Sequence, residues 1–335
     1  MIGGEYEVDL SLQRDGFVPE VDTYYYASGR AALYQILLSL SPHHKRRVWM
    51  PDWLCYSMVE ATKKAEFDVR FYELDEEYKA TTGALDHSGF RDGDIVLMVN
   101  YFGLQDLMPV TQKIKNAYPT AIVIEDDVQA FWSFTERENP FADYRFTSLR
   151  KSFAIPDGGL VKTKHPMPIA TDKNTFATYK LDAGVMKSRR GCGGIKDEDY
   201  LRLFEQGEDA ISNNFSSVMS ESAMRLFAGI DFQQAKKRRI ENTMIILDGL
   251  AAIGIKPLIE VSSGCVPLFV PVYLENRDVV RKSMFQHEVF CPVHWPLEGM
   301  PVKHGAEMAK HELSLIVDQR YSINDMNQQL LLLQG

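Results

Sequence analysis

Only four cysteines occur, Cys55, Cys192, Cys265 and Cys291, and none forms a CxxC pair. Their wide, irregular spacing supports neither a zinc knuckle nor a disulfide framework, so no metal site is expected and a reduced, cytoplasmic setting fits. No apolar run comes near the ~20 residues that a membrane helix needs. The opening MIGGEYEVDLSLQRDG is polar and acidic and does not read as a secretory signal. A surplus of basic residues is missing too: 37 Lys and Arg stand against 46 Asp and Glu, a net charge of −9. That balance excludes the broad basic face a nucleic-acid partner requires. The densest basic stretches are HHKRR at 43–47 and KKRR at 236–239. The second falls on a predicted helix, is followed by Glu241, and reads as a solvated helix face. There is no GxGxxG and no P-loop for a nucleotide, and no repeat or low-complexity stretch.

What is present is an ordinary globular composition, 45% hydrophobic and 25% charged, spread over 335 residues. That length buries a large core and exceeds what one compact domain commonly uses. RRVWMP (46–51), DVRFYEL (68–74), DIVLMVNYFG (94–103), AIVIEDD (121–127) and GGLVKT (158–163) read as strands. SMVEATKKAE (57–66) and PVTQKIKNAY (109–118) read as helices between them. This rhythm predicts βαβ units and a mostly parallel sheet covered on both faces. From about 196 to 250 the pattern is helical. Short strands return at VPLFVPVYL (266–274), followed by a helix at 276–288, a turn at CPVHWPL, and a closing helix at 322–334. We read a large α/β domain over residues 1–235 and a smaller C-terminal α+β domain over 236–335.

Four segments carry candidate chemistry. SGRAALYQIL (28–37) places Ser28 and Gly29 where a helix opens, and free backbone N–H groups there suit a phosphate. The plainer reading is an ordinary N-cap. VIEDDVQAF (123–131) ends a strand on Asp126 and Asp127, where parallel sheets face their ligands. A buried Asp there could keep the pyridine nitrogen of pyridoxal phosphate (PLP) protonated, although metal binding and helix capping are common uses of the same pattern. TSLRKSFAIPDGGLV (147–161) puts Lys151 25 residues beyond Asp126, after Thr147 and Ser148 and before Asp157-Gly158-Gly159. A Schiff-base lysine needs such a constrained loop and a neutral amine, which burial and a cationic neighbour such as Arg150 favour. A surface Arg-Lys pair is the plainer alternative. VNYFG (99–103) ends the preceding strand, where it serves either a ring or the core.

Taken in order, these segments resemble the DegT/DnrJ/EryC1/StrS sugar aminotransferases. The matching elements are Ser28-Gly29-Arg30, Pro51 through Asp75, Asn100-Tyr101-Phe102-Gly103, Val123 to Ala130, and Ser148, Lys151, Gly158 and Gly159. Pro292 to Pro296 and Leu313 to Arg320 extend the match nearly to the end. The chain departs from the family pattern in three places. Asn100 replaces a histidine. NNFSSVMSE (213–221) keeps an asparagine, Asn214, but lacks the arginine of a motif that reaches the partner's site. Ser148 stands three residues before Lys151 instead of five.

The resemblance implies an aspartate-aminotransferase-like fold (PLP fold type I), a three-layer large domain, and PLP as cofactor. It implies Lys151 as the internal-aldimine lysine and proton carrier, and Asp126 on the pyridine nitrogen. Gln129 would stand by the ring oxygen, with Ser28, Gly29, Arg30 and Ser148 on the phosphate. Tyr56, in preference to Cys55, would lie on the ring face, with Asn100 and Asn214 also toward the cofactor and His294 toward the substrate. The implied activity moves an amino group, with glutamate as the implied donor, to a nucleotide-linked keto-sugar, in a homodimer with its site at the interface. Another PLP reaction on an amino acid, or a non-catalytic PLP- or sugar-nucleotide-binding relative, stays open, because fold does not fix function.

Overall fold

The structure is a computed structural model that describes residues 1–40, 47–262, 264–295, 302 and 304–334. Its strands are β1 (Ile2–Gly3), β2 (Thr23–Tyr26), β3 (Arg47–Pro51), β4 (Asp68–Tyr72), β5 (Ile95–Val99), β6 (Ile122–Asp126), β7 (Tyr144–Ser148), β8 (Gly159–Lys162), β9 (Phe269–Tyr273), β10 (Val289–Phe290) and β11 (Glu312–Ile316). Seven of them form one sheet in the order β2-β8-β7-β6-β5-β3-β4. β4, β3, β5, β6 and β7 run parallel. β8 is antiparallel to both β7 and β2.

Strand alternation sorts the core into two layers. Met50, Leu97, Ile124 and Phe146 face helices Gly29–Leu40 and Tyr56–Lys64, meeting Leu33, Ile36, Met58 and Val59. Trp49, Val96, Met98 and Val123 face the opposite way, toward Leu85 and Ile114 on helices Thr82–Ser88 and Met108–Ala117. Because both faces are covered, β5 and β7 are buried along their whole length, as expected of inner strands in a parallel block. The mostly parallel α/β sheet read from the sequence is the one observed.

The C-terminal layer joins β9 and β11 antiparallel. Its core packs Val270, Val272, Leu313 and Leu315 against Ile246 and Leu250 of helix Phe232–Ala252 and Met326 and Leu330 of helix Ile323–Leu333. That long helix spans the 235/236 boundary read from the sequence. The first residues also join the C-terminal layer, since β1 pairs in parallel with β10.

Five strands escaped the sequence reading, two of them the two-residue β1 and β10. β2 is TYYY, β7 is YRFTS and β11 is ELSLI. Each mixes polar or charged residues into a short run, so neither an apolar block nor a clean alternation marks it. The solvated-face reading of 236–239 also needs correction. Arg239 is fully buried, held by Oε1 of Gln319, the carbonyls of Pro267, Leu268 and Ser152, and the Tyr6 hydroxyl. Of HHKRR, residues 43–46 lie outside the described residues, as do 296 and 297 of CPVHWPL. No helix among the described residues is long and apolar enough to cross a membrane.

Candidate active site

The parallel strands β5, β6 and β7 end together, and Val99, Asp126 and Ser148 at those ends line a cavity of about 500 Å³. This is where open α/β sheets place their ligands. The Ser28-Gly29-Arg30 turn forms an adjoining part of the wall.

That turn serves the chain and a ligand at once. Ser28 caps helix Gly29–Leu40, its Oγ accepting from the Ala31 N–H at 3.1 Å and its carbonyl from the Ala32 N–H at 2.8 Å. The N–H groups of Gly29 and Arg30, at the first helical positions, are not needed by the helix. Glycine is required in two places for steric reasons. A Cβ on Gly159 would stand 2.1 Å from the Ser28 carbonyl oxygen, and one on Gly29 would stand 2.9 Å from Cγ2 of Val128. Backbone therefore packs against backbone here, and the helix N-terminus remains open to the cavity.

Asp126 and Asp127 diverge. Asp127 points away from the cavity, pairs with Arg145 at 2.7 Å and accepts from Nδ2 of Asn100 at 3.1 Å. Asp126 faces the cavity and accepts the Val128 N–H at 2.9 Å, with no cation in ion-pair range among the described residues. Burial pushes its carboxyl up to about 7, only partly offset by that backbone N–H. A carboxyl in this condition gains most from a ligand N–H that brings positive charge.

Lys151 ends the short 3₁₀ turn Leu149–Lys151 directly after β7. Lys151 is an exposed residue in the wall of the cavity. Burial, and then the adjacent Arg150 guanidinium, hold its amine below the ordinary lysine value. Arg150 is in turn fixed by Glu208 at 2.9 Å, and Glu208 by Lys180, which also reaches Glu5 at 3.2 Å. Burial alone would raise the Glu208 carboxyl, but Arg150 and Lys180 outweigh it and bring it to about 2. Downstream, Gly158 takes φ of +122° and its N–H meets the Ala27 carbonyl at 2.8 Å, which closes the lysine loop onto the phosphate-type turn.

Of the residues singled out from the sequence, Ser28, Gly29, Arg30, Asp126, Gln129, Ser148, Lys151 and His294 converge on this one cavity. Gln129 is anchored through Oε1, which accepts the Phe102 N–H at 3.1 Å. Three others are elsewhere. Tyr56 is 46% exposed and not part of the lining; its neighbour Cys55 is, because residue 55 precedes the helix and residue 56 already turns with it. Asn100 is buried beneath the sheet end, bridging Asp127 and the Gln105 N–H. Asn214 closes a local loop through Thr175, Ala210 and Ser217.

Sequence reasoning missed a whole wall. Gly3, Gly4, Glu5 and Tyr6 line the cavity together with Asp318 and Arg320. Arg320 pairs with Asp318 at 2.8 Å and lies over the Tyr6 ring at 4.0 Å. The Gly3-Gly4 pair was the available signal, with φ of +92° and +75°.

No protein-family model matches the sequence, nor does any curated protein. Among solved structures, the chain is similar to a DegT DnrJ EryC1 StrS aminotransferase from Brucella abortus, at 16% identity and TM-score 0.65, covering 93% of this chain and 85% of that one. DesV from S. venezuelae, solved with a ketimine intermediate, matches at 17% identity and TM-score 0.66, covering 93% and 84%. NtdA from Bacillus subtilis, with bound cofactor PMP, matches at 15% and 0.67, covering 93% and 73%. The chain has the aminotransferase fold. At these identities the likeness is one of fold, and within that fold the cavity at the ends of β5, β6 and β7 is the candidate active site.

Proposed function

We propose that this chain is a PLP-dependent aminotransferase that moves an amino group from an amino acid, glutamate, to a keto-sugar carried on a nucleotide. One observation carries the reading. A lysine with a lowered pKa, a buried carboxyl without a cationic partner and an open helix N-terminus share a single cavity. PLP, when bound, supplies an electron sink conjugated to the substrate carbon.

The residues fit such a group. The Gly29 and Arg30 N–H groups, with the Ser148 hydroxyl, would hold its phosphate at the positive end of the helix. Asp126 would accept the pyridine N–H. The Gln129 amide N–H₂ has no partner among the described residues and would donate to the ring oxygen. Cys55, not Tyr56, would lie along the ring. Lys151 would anchor the aldehyde carbon, and once displaced would carry a proton between the substrate carbon and the adjacent cofactor carbon. Its lowered pKa helps on both counts, since a neutral amine is both the nucleophile and the base. His294 would contact the acceptor. The same reading places the enzyme in the cytoplasm as a homodimer, in keeping with the aminotransferase fold.

A single-turnover assay tests the reaction type. The PLP-loaded chain is mixed with L-glutamate alone, and the products are quantified. Close to one 2-oxoglutarate per chain, with loss of the visible cofactor band, is expected. Release of CO₂ or ammonia instead would assign a different PLP reaction, and no change at all would remove glutamate as donor.

A further inference from the structure

His294 is not simply a polar residue at the cavity edge. Its imidazole is held from behind by a buried acid. Nδ1 lies 2.9 Å from Oγ of Ser314 and 3.7 Å from Oε1 of Glu312. Ser314 donates its hydroxyl proton to that same Oε1. The other carboxylate oxygen, Oε2, accepts the backbone N–H of His294 at 2.6 Å. Glu312 and Ser314 are both fully buried. They stand two apart on β11, so strand alternation puts them on one face, while Leu313 and Leu315 enter the apolar core on the other. Phe102 and Phe269 flank the ring at 5.3 and 5.4 Å, which leaves it little freedom to turn.

The direction of the protons follows from the partners. Ser314 donates to Glu312, so the hydrogen between them belongs to the serine. The serine oxygen is then left as the acceptor for Nδ1, and Nδ1 must carry a hydrogen. In the neutral imidazole that makes Nε2 a bare lone pair. Nε2 has no partner among the described residues, and His294 is part of the cavity lining.

We propose that Ser314 and Glu312 are positioning residues that lock His294 with Nε2 as a hydrogen-bond acceptor toward the cavity. An acceptor edge suits a hydroxyl or ammonium donor on the bound substrate and disfavours a carbonyl or carboxylate oxygen. Assigning it to a hydroxyl of the sugar rests on the function proposed above; the locked tautomer does not. An internal Glu312 side chain facing a serine and a histidine, with no lysine or arginine in ion-pair range among the described residues, is costly in stability terms, and this geometry gives it a task.

The test is ¹⁵N NMR of the full chain labelled at histidine, recorded without added substrate. A protonated Nδ1 and an unprotonated Nε2 are expected for His294, assigned by its loss in His294→Gln. Ser314→Ala removes the hydrogen-bond acceptor at Nδ1, and the tautomer ratio is expected to fall about tenfold, the size of one lost hydrogen bond. Glu312→Gln gives an independent shift in the same direction, and thermal unfolding of both variants reports whether they fold. If Glu312→Gln does not fold, Ser314→Ala alone decides. A wild-type His294 with its proton on Nε2, or a tautomer unmoved in folded Ser314→Ala, would overturn the proposal. Neither result depends on the cofactor or on glutamate, so this inference and the proposed reaction fail separately.

Discussion

Asp126 and Asp127 are consecutive residues at the end of one strand, yet they belong to different parts of the molecule. Asp127 is embedded in a polar network in which Arg145 bridges it to Glu125, and Glu125 takes Nδ2 of Asn139 at 2.7 Å. Arg145 also donates to the carbonyls of Ser133 and Arg137. One guanidinium serves both carboxylates there, burial and the neighbouring Glu125 still hold the Asp127 carboxyl well above the usual range, and the network ties β6 and β7 to helix Phe131–Glu136. Asp126 has one backbone N–H and open cavity. The lesson is that buried charge with partners serves the fold, whereas buried charge without them points to a ligand.

The comparison breaks most visibly at Arg145. Arg145→Met leaves two buried carboxylates unpaired, and a loss of about 3–5 kcal/mol in unfolding free energy is expected from denaturant titration. A loss below about 1 kcal/mol would mean that the network is not structural. Asp126→Asn should do the reverse. Chain stability is retained at acid pH and rises near neutral pH, while turnover in the amino-transfer assay falls by roughly 10²–10³, the scale of removing one charge-stabilising group from a site. An unaffected turnover would take Asp126 out of the mechanism.

Acid titration sharpens the same contrast. Burial holds the Asp126 carboxyl at about 7 in the folded chain, against 3.8 for an ordinary aspartate. The folded chain therefore holds a proton that the unfolded chain releases, and stability falls as pH rises from about 4 to 7, then levels off. On the order of 4 kcal/mol is involved for the cofactor-free chain. Asp157, also raised to about 7 by burial, contributes over the same window, so Asp126→Asn should reduce the slope without abolishing it. An identical slope in wild type and variant would show that Asp126 is not desolvated. The smallest effect is at Tyr56. Tyr56→Ala should change stability by less than about 0.5 kcal/mol and leave PLP affinity unchanged in a fluorescence titration. A large loss of affinity would restore Tyr56 to the ring.

Much of this was legible in the residues. The βαβ rhythm from 47 to 163 gave the sheet, because its apolar blocks are long enough to be unambiguous. The order of Ser28, Asp126, Ser148 and Lys151 gave the centre of the cavity, since each stands at a strand end or helix start that local pattern marks. What escaped was set by tertiary contact. The TYYY and YRFTS strands carry no block to recognise. Asn100 and Asn214 are polar residues that the fold spends on its own backbone and side chains. Arg239 looks solvated in KKRR but is buried by the Tyr6 and Gln319 contacts, which lie 233 and 80 residues away in sequence. The glutamate–serine–histidine chain joins residues 18 to 20 positions apart through strand geometry.

Lys151 is the group proposed to take the cofactor. The most direct measurement is borohydride reduction of the chain after incubation with PLP, followed by peptide mass mapping. A visible absorption band before reduction and one pyridoxyl adduct per chain on the peptide containing Lys151 are expected, and neither in Lys151→Ala. An adduct on another lysine, or one that persists in Lys151→Ala, would contradict it.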